Sequence, residues 1–324
     1  MDWTPPRFSW RALAVWRRNF LVWRKLAIPS VLGNLADPMI YMFGLGYGLG
    51  SLMPEALPQF HGASYIAFLA TGTVCASAMN AASFEALYSG FSRMHVQKTW
   101  EAIMNAPVSL DDVVVGELLW AASKATLSGA AILVVISALG LVQPAMALAV
   151  LPMVFLVGLA FAAIGLIVTA LAPSYDFFMY YFTLFVTPMT LLSGVFFPLE
   201  QLPESFQGAA RVLPLAHAVE TIRPMLFGRP AEGMAWHAAA LAVVTVVALW
   251  VAVALTRRRL WDLKGPPVPF ALRGGAHFAG LIRTSTTAWP ATGGRSSGPT
   301  GCRRWPAPTW STSTRTAGSP VCSA

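Results

Sequence analysis

The chain has 324 residues, of which 56% are hydrophobic and only 11% charged, with a formal charge of +8. Soluble domains carry about 25% charged residues, so this composition excludes an ordinary soluble fold and points to a protein that lives in lipid. The basic excess gathers at the edges of apolar runs, the distribution of a membrane surface rather than of a nucleic-acid interface.

The first segment, residues 7–25, carries Arg7, Arg11, Arg17, Arg18, Arg24 and Lys25. At about 100° per residue these fall within an arc of roughly 140°, with Leu13, Trp16, Phe20 and Trp23 opposite. Trp10 and Leu21 stray onto the basic side. The pattern predicts a helix lying in the membrane interface, attracted to anionic lipid, or a simple topology anchor. No small-residue cleavage site follows a short apolar core, so a cleavable signal peptide is not expected.

Apolar runs of about 20 residues, enough to cross a hydrocarbon core of about 30 Å, follow at 29–53, 64–86, 113–138, 147–171, 178–197 and 236–256. Tyr65, Tyr180 and Trp236 mark their ends as interfacial anchors do. The expected fold class is therefore an all-α integral membrane protein with six transmembrane helices. Arg93 and Lys98 in the second connection, and Arg257, Arg258, Arg259 and Lys264 after the last run, share a side with the basic N-terminus. The opposite side carries Arg211, Arg223 and Arg229 in its long third loop. The positive-inside rule then sets both termini in the cytoplasm.

Within the first run, "NLADPMIYMFG" holds Asp37, the one charge between Lys25 and Glu55. An intramembrane carboxylate is a functional candidate by default. Asp37 followed by Pro38 also fits a capped or kinked start to span one, since aspartate caps helices and proline suits the first turn. The second reading is the one expected. Lys124, two turns beyond Glu117 in the third run, reads as a lysine snorkelling to the interface.

The connection "SRMHVQKTWEAIMNAPVSLDDVVVGELL" is polar and helical to about Asn105, and Pro107 stops it. Ser109 with Asp112 supplies N-terminal caps for the third span. This short helix either closes the loop or contacts a cytoplasmic partner. The outer stretch "SGVFFPLEQLPESFQGAARVLPLAHAVETIRPMLFG" is divided by Pro198, Pro203, Pro214 and Pro224 into pieces too short to span. Leu215, Val219, Ile222 and Leu226 recur at helical spacing, with His217, Glu220 and Arg223 on the other face. Two outer re-entrant half-helices between spans 5 and 6 fit this pattern, with surface-lying helices as the alternative.

No catalytic constellation appears. There is no Gly-Lys dipeptide and hence no phosphate loop. The five histidines, at 61, 95, 217, 237 and 277, show no metal-type spacing. Cys75, Cys302 and Cys322 show neither metal-ligand nor disulfide spacing. Residues 265–324 lack Asp and Glu and show no periodicity, which reads as disorder or as GC-rich codons translated out of frame. The domains expected are thus a cytoplasmic amphipathic helix at 1–28, a six-span unit at 29–264 and a tail at 265–324.

Three stretches resemble one family. "KTWEAIMNAPVS" is similar to the coupling region of ABC-2-type export permeases, and "LSGVFFPLEQLP" with "LPLAHAVETIRPMLFG" looks like their outer re-entrant motif. "GNLADPMIYMFGLGYGLG" and "LAPSYDFF" resemble, more narrowly, the branch that exports nodulation-type lipo-oligosaccharides. The likeness covers about residues 14–262. It implies a non-enzymatic permease in the bacterial inner membrane that works as a homodimer with two copies of a cytoplasmic ATPase. ATP would be bound by that partner, with no cofactor or metal in this chain and no nucleic-acid partner. The substrate would be a lipid-linked saccharide, or alternatively a drug or another glycolipid. An ion-coupled transporter is the reading from another class, and the scarcity of mid-depth acids and histidines speaks against it. Carried onto this sequence, the resemblance implies ATPase coupling at Arg93, Gln97, Trp100 and Glu101. It also implies an outer segment shaped by Pro198, Pro203, Pro214, Glu220 and Arg223, and a gating role for the N-terminal helix.

Overall fold

The computed structural model describes residues 4–7, 9–52, 63–229 and 233–264, and every regular element among them is helical. The tail expected at 265–324 lies outside the described residues. Helix α1 (Ala12–Trp23) passes through a 3-10 turn (Arg24–Leu26) into α2 (Ala27–Gly48). Helix α3 (Tyr65–Phe84) continues through π-helical turns at Glu85–Ser89 and Ser92–Val96. Then come α4 (Thr99–Ile103), α5 (Leu110–Ala138) and α6 (Pro144–Leu171). Helix α7 (Phe177–Tyr181) joins α8 (Thr187–Leu192) through a π turn at Phe182–Val186. Helices α9 (Glu204–Ala210), α10 (Pro214–Leu226) and α11 (Met234–Lys264) follow.

Five helical runs are long and apolar enough to cross a membrane: Ala12–Leu52, Tyr65–Val96, Leu110–Ala138, Pro144–Leu171 and Met234–Leu260. The run expected at 178–197 is the shorter apolar helix Phe177–Leu192. It stops where Gly194 adopts φ 75°, a left-handed turn that side chains with a Cβ disfavour.

The first long run departs from its expected division. The interfacial segment and span one form one helical path, so Asp37 and Pro38 lie well inside α2 and neither caps it. Proline at 38 frees the Asn34 carbonyl, a loss that membrane helices tolerate where neighbours or water compensate. Of the four residues expected on the apolar face of α1, Trp16, Phe20 and Trp23 are half-buried against α5. Ala12, Val15 and Asn19 are buried, whereas Leu13 is exposed.

Helix α3 is the centre of the bundle, with 89% of its most apolar window buried. It packs against α5, α6 and α10, and α6 packs in turn against α11. Small residues set these approaches, as they do between helices in lipid. A Cβ on Gly129 would lie 2.7 Å from Val154, and one on Gly165 would lie 2.8 Å from Ala86. The start of α5 carries the expected capping box, with the Ser109 hydroxyl and the Asp112 carboxylate satisfying each other's backbone N–H groups. At the same end Arg257 donates from Nε to Asp111 at 3.0 Å, and Arg259 donates to the Thr169 and Ala170 carbonyls that close α6.

The closest helix approach predicts its own sensitivity. A Cβ on Gly116 of α5 would sit 2.6 Å from Val15 Cβ and 2.8 Å from the Ala12 carbonyl of α1. Gly116→Ala should cost about 1–3 kcal/mol through overpacking. Gly33→Ala, with nothing within 4 Å of the added atom, should be neutral or stabilising by up to about 1 kcal/mol. Thermal unfolding in detergent compares the two, and equal midpoints would contradict the α1–α5 contact.

Candidate functional site

Thr73, Ser77, Asn80 and Phe84 recur at three- and four-residue steps along α3, which aligns them on one face. That face forms the floor of a groove of about 340 Å³. Asp37, Pro38 and Tyr41 of α2 form one wall, and Phe182, Thr187 and Thr190 of the α7–α8 segment form the other. Val195 and Phe196 line it as well. The Ser77 hydroxyl meets Ser128 of α5 at 2.9 Å, and Thr73 and Thr190 donate to carbonyls one turn back, Ala70 and Val186. Asp37, Tyr41 and Asn80 make no side-chain hydrogen bond among the described residues and are the groove's uncommitted polar groups. The Phe182 carbonyl of the π turn at Phe182–Val186 accepts from both the backbone N–H and the hydroxyl of Thr187, the hydroxyl 3.0 Å away. Such turns often mark functional positions in helices.

One ring pair separates this groove from the basic end. Phe84 stacks on Phe182 with centroids 4.4 Å apart. The next residue, Glu85, is 3% exposed and would be prohibitively costly as a lone charge. Its carboxylate accepts from Arg93 at 2.9 Å, Lys124 at 2.8 Å, Trp120 at 2.7 Å and Ser89 at 3.0 Å. Arg93 also donates from Nε to both oxygens of Glu117 at 3.0 Å, and Trp100 of α4 donates to Glu117 at 3.3 Å. The network thus ties α3, α4 and α5 together around two buried carboxylates. Lys98, immediately before α4, has φ 50°, a conformation that costs a residue with a Cβ about 1 kcal/mol or more.

At the opposite end Arg223 of α10 reaches inward. It donates to Thr71 at 3.1 Å and to the Gly194 carbonyl at 2.7 Å, and its guanidinium lies 3.7 Å from the centroid of the Phe68 ring. His217 and His237 meet Nδ1 to Nδ1 at 2.7 Å, and His237 lies 3.3 Å from Glu220. Among the described residues no group of three or more His, Cys, Asp or Glu could hold a metal ion.

The described residues form a bundle of membrane-length helices with a polar groove, and sequence comparison decides its family. Residues 11–227 match the model of the ABC-2 type transporter family. The chain belongs to that family. It is 51% identical over 255 residues to nodulation protein J of Rhizobium meliloti, covering 79% of this chain and 96% of that protein. It is 48% identical over 255 residues to nodulation protein J of Bradyrhizobium diazoefficiens, covering 79% and 96% respectively. It is also 25% identical over 221 residues to the inner membrane transport permease YadH of Escherichia coli, covering 66% and 82%. Membrane subunits of this family are transport components, and the family implies an ABC ATPase as partner.

Of the four residues expected to meet that ATPase, this ABC-2 permease exposes Gln97 and Glu101. Arg93 and Trp100 both turn inward and donate to the buried Glu117 carboxylate, which must be paired and hydrogen-bonded to remain charged. Lys124 does not snorkel but pairs with Glu85. In the outer segment Leu215, Val219, Ile222 and Leu226 are buried as their spacing predicts. Glu220 is exposed, and Arg223 does not share its face. Pro198 precedes a 3-10 turn, Pro203 and Pro214 precede or begin α9 and α10, and Pro224 sits in the last turn of α10. Asp37 and Pro38 line the groove instead of starting a helix. The groove face itself was missed, although its spacing was present in "TGTVCASAMNAASF".

The ion network predicts a coupled loss. Glu85→Gln should destabilise the protein by about 3–5 kcal/mol, the cost of breaking a buried pair. In a Lys124→Met background the same change should cost at least about 1 kcal/mol less. A double-mutant cycle by thermal unfolding measures this, and additive effects would contradict a shared carboxylate.

Proposed function

We propose that this chain is the membrane half of an ATP-driven exporter that moves a lipo-oligosaccharide outward across the bacterial inner membrane. The observation that carries the reading is the groove. It offers hydroxyl, amide and aromatic side chains along the flank of an apolar bundle, where a saccharide can travel while its acyl chain stays in lipid. The nodulation protein J relatives support the nodulation-factor class over a drug or another glycolipid. Asp37 is the one carboxylate lining the groove, which disfavours an ion-coupled relay.

In this reading the basic end faces the cytoplasm and both termini lie there. Phe177–Leu192 is a short fifth span, giving six in all. Helix α10, held against α3, α6 and α11, serves as the inner half of a re-entrant outer segment. Helix α1, resting on α5 beside the basic cluster, is the amphipathic interfacial element and gate. A second copy of the chain completes the path, and two ATPase subunits dock on the exposed side of α4 through Gln97 and Glu101. Arg93 and Trp100 position that surface from beneath.

Co-reconstitution with an ABC ATPase that co-purifies with this chain tests the two halves of the proposal separately. Gln97→Ala with Glu101→Ala should weaken ATPase binding at least tenfold. Asp37→Asn with Asn80→Leu should leave binding and stimulated hydrolysis intact and abolish ATP-driven export. Export surviving the second pair would remove the groove from the path, and ATPase binding surviving the first would remove α4.

A further inference from the structure

We propose that a second cleft, at the basic end, binds the uncharged sugar of the substrate before it enters the groove; this rests on the exporter reading. The cleft, of about 530 Å³, lies where α1 and the start of α2 face the π turns after α3. That volume falls within the range of small-ligand sites, about 300–1,000 Å³. Asn19, Trp23, Tyr88, Gln97, Lys124 and Tyr175 are among its lining residues.

Two of its three cations are already matched by carboxylates. Arg93 and Lys124 are committed to Glu85, and Arg93 also to Glu117. The third, Arg18, is a lone cation among the described residues of the cleft, and its Nη1 donates to the neutral Asn19 side-chain oxygen at 3.0 Å. A phosphate would need several uncommitted donors converging on it, whereas this lining suits a neutral ligand rich in hydroxyl and amide groups. Asn19 supplies the second observation. It is 3% exposed, lines the cleft, and its Nδ2 has no hydrogen-bond partner. A buried amide donor left unpaired is uncommon and unfavourable, and a sugar hydroxyl or acetamido carbonyl would accept from it.

The aromatic rings point the same way. Tyr88 and Tyr175 lie nearly parallel, 11° apart with centroids 6.2 Å distant, and both are more than a third exposed. Exposed amphipathic rings beside amide and hydroxyl donors offer a sugar its flat C–H face and its polar edge together. They also lead onward. Tyr88 stacks on Phe84 at 5.5 Å and on Phe182 at 6.3 Å, and those two rings line the groove. The cleft and the groove therefore share one run of aromatic contacts.

The test uses the full chain with its ATPase in nanodiscs and chitotetraose as the neutral probe. Saturation-transfer NMR and calorimetry should detect binding, and Asn19→Leu and Tyr175→Ala should each weaken it at least tenfold with an unchanged thermal midpoint. Tyr175 lies at the surface, so its variant keeps the test sound if Asn19→Leu unfolds. No binding to the unaltered protein, or binding indifferent to both changes, overturns the proposal. Displacement of a bound phosphatidylglycerol headgroup by neither variant's sugar probe but by inorganic phosphate also overturns it, making the cleft a lipid site. The exporter reading is judged apart, by ATP-driven movement of a lipo-oligosaccharide in proteoliposomes of the unaltered complex. Transport there with no sugar bound at the cleft defeats this proposal alone.

Discussion

A carboxylate with four donors around it fixes the basic end of this protein. Glu85 is buried where α3 gives up regular α-helical geometry, and Arg93, Lys124, Trp120 and Ser89 all turn to it. In a medium of low dielectric such a charge must be paired and fully hydrogen-bonded or it will not stay ionised. Satisfying it recruits groups from three separate helical segments. Their arrangement then determines what can be exposed: with Arg93 and Trp100 drawn inward, Gln97 before α4 and Glu101 within it face outside.

The same constraint joins α4 to the groove. Trp100 touches Glu117, Glu117 holds Arg93, Arg93 holds Glu85, and Phe84 next to Glu85 lines the groove. This is a contiguous chain of polar contacts from α4 to Glu85, whose chain neighbour Phe84 lies on the polar flank of α3; in the exporter reading it is a candidate route for coupling. The π turns lie along that path, at Glu85–Ser89 and Ser92–Val96 on α3's continuation and at Phe182–Val186 across the groove. Each has a wider backbone than an α-helix, and in one of them Thr187 donates both its backbone N–H and its hydroxyl to the Phe182 carbonyl.

What was legible in the sequence was local. The Ser109–Asp112 capping box, the stop before Pro107 and the buried stripe from Leu215 to Leu226 depend on neighbours a few residues away, and spacing alone reveals them. The family, too, could be read from short motifs. What was illegible depended on partners far along the chain. Nothing local shows that Lys124 pairs with Glu85 rather than reaching for the interface, or that Arg223 leaves the polar face of α10 to lie on Phe68. His217 and His237 meet although twenty residues separate them. Asp37 misled because Asp-Pro is a strong local start signal, and α1 packing on α5 carries the helical path straight through it. The groove face lay in plain view as Thr73, Ser77 and Asn80. Small polar residues in a membrane helix, however, read equally well as helix-packing positions.

The central claim is that the flank bearing Asn80 is a water-filled path that substrate occupies. Labelling of a single cysteine there tests it most directly: Asn80→Cys in a chain with Cys302 and Cys322 replaced by serine, probed in membranes with a membrane-impermeant thiol reagent. Cys75 is fully buried, so it should contribute little background. The account predicts labelling that falls severalfold when a lipo-oligosaccharide is added. A cysteine at 80 that stays unlabelled, or that labels equally with and without substrate, would contradict it.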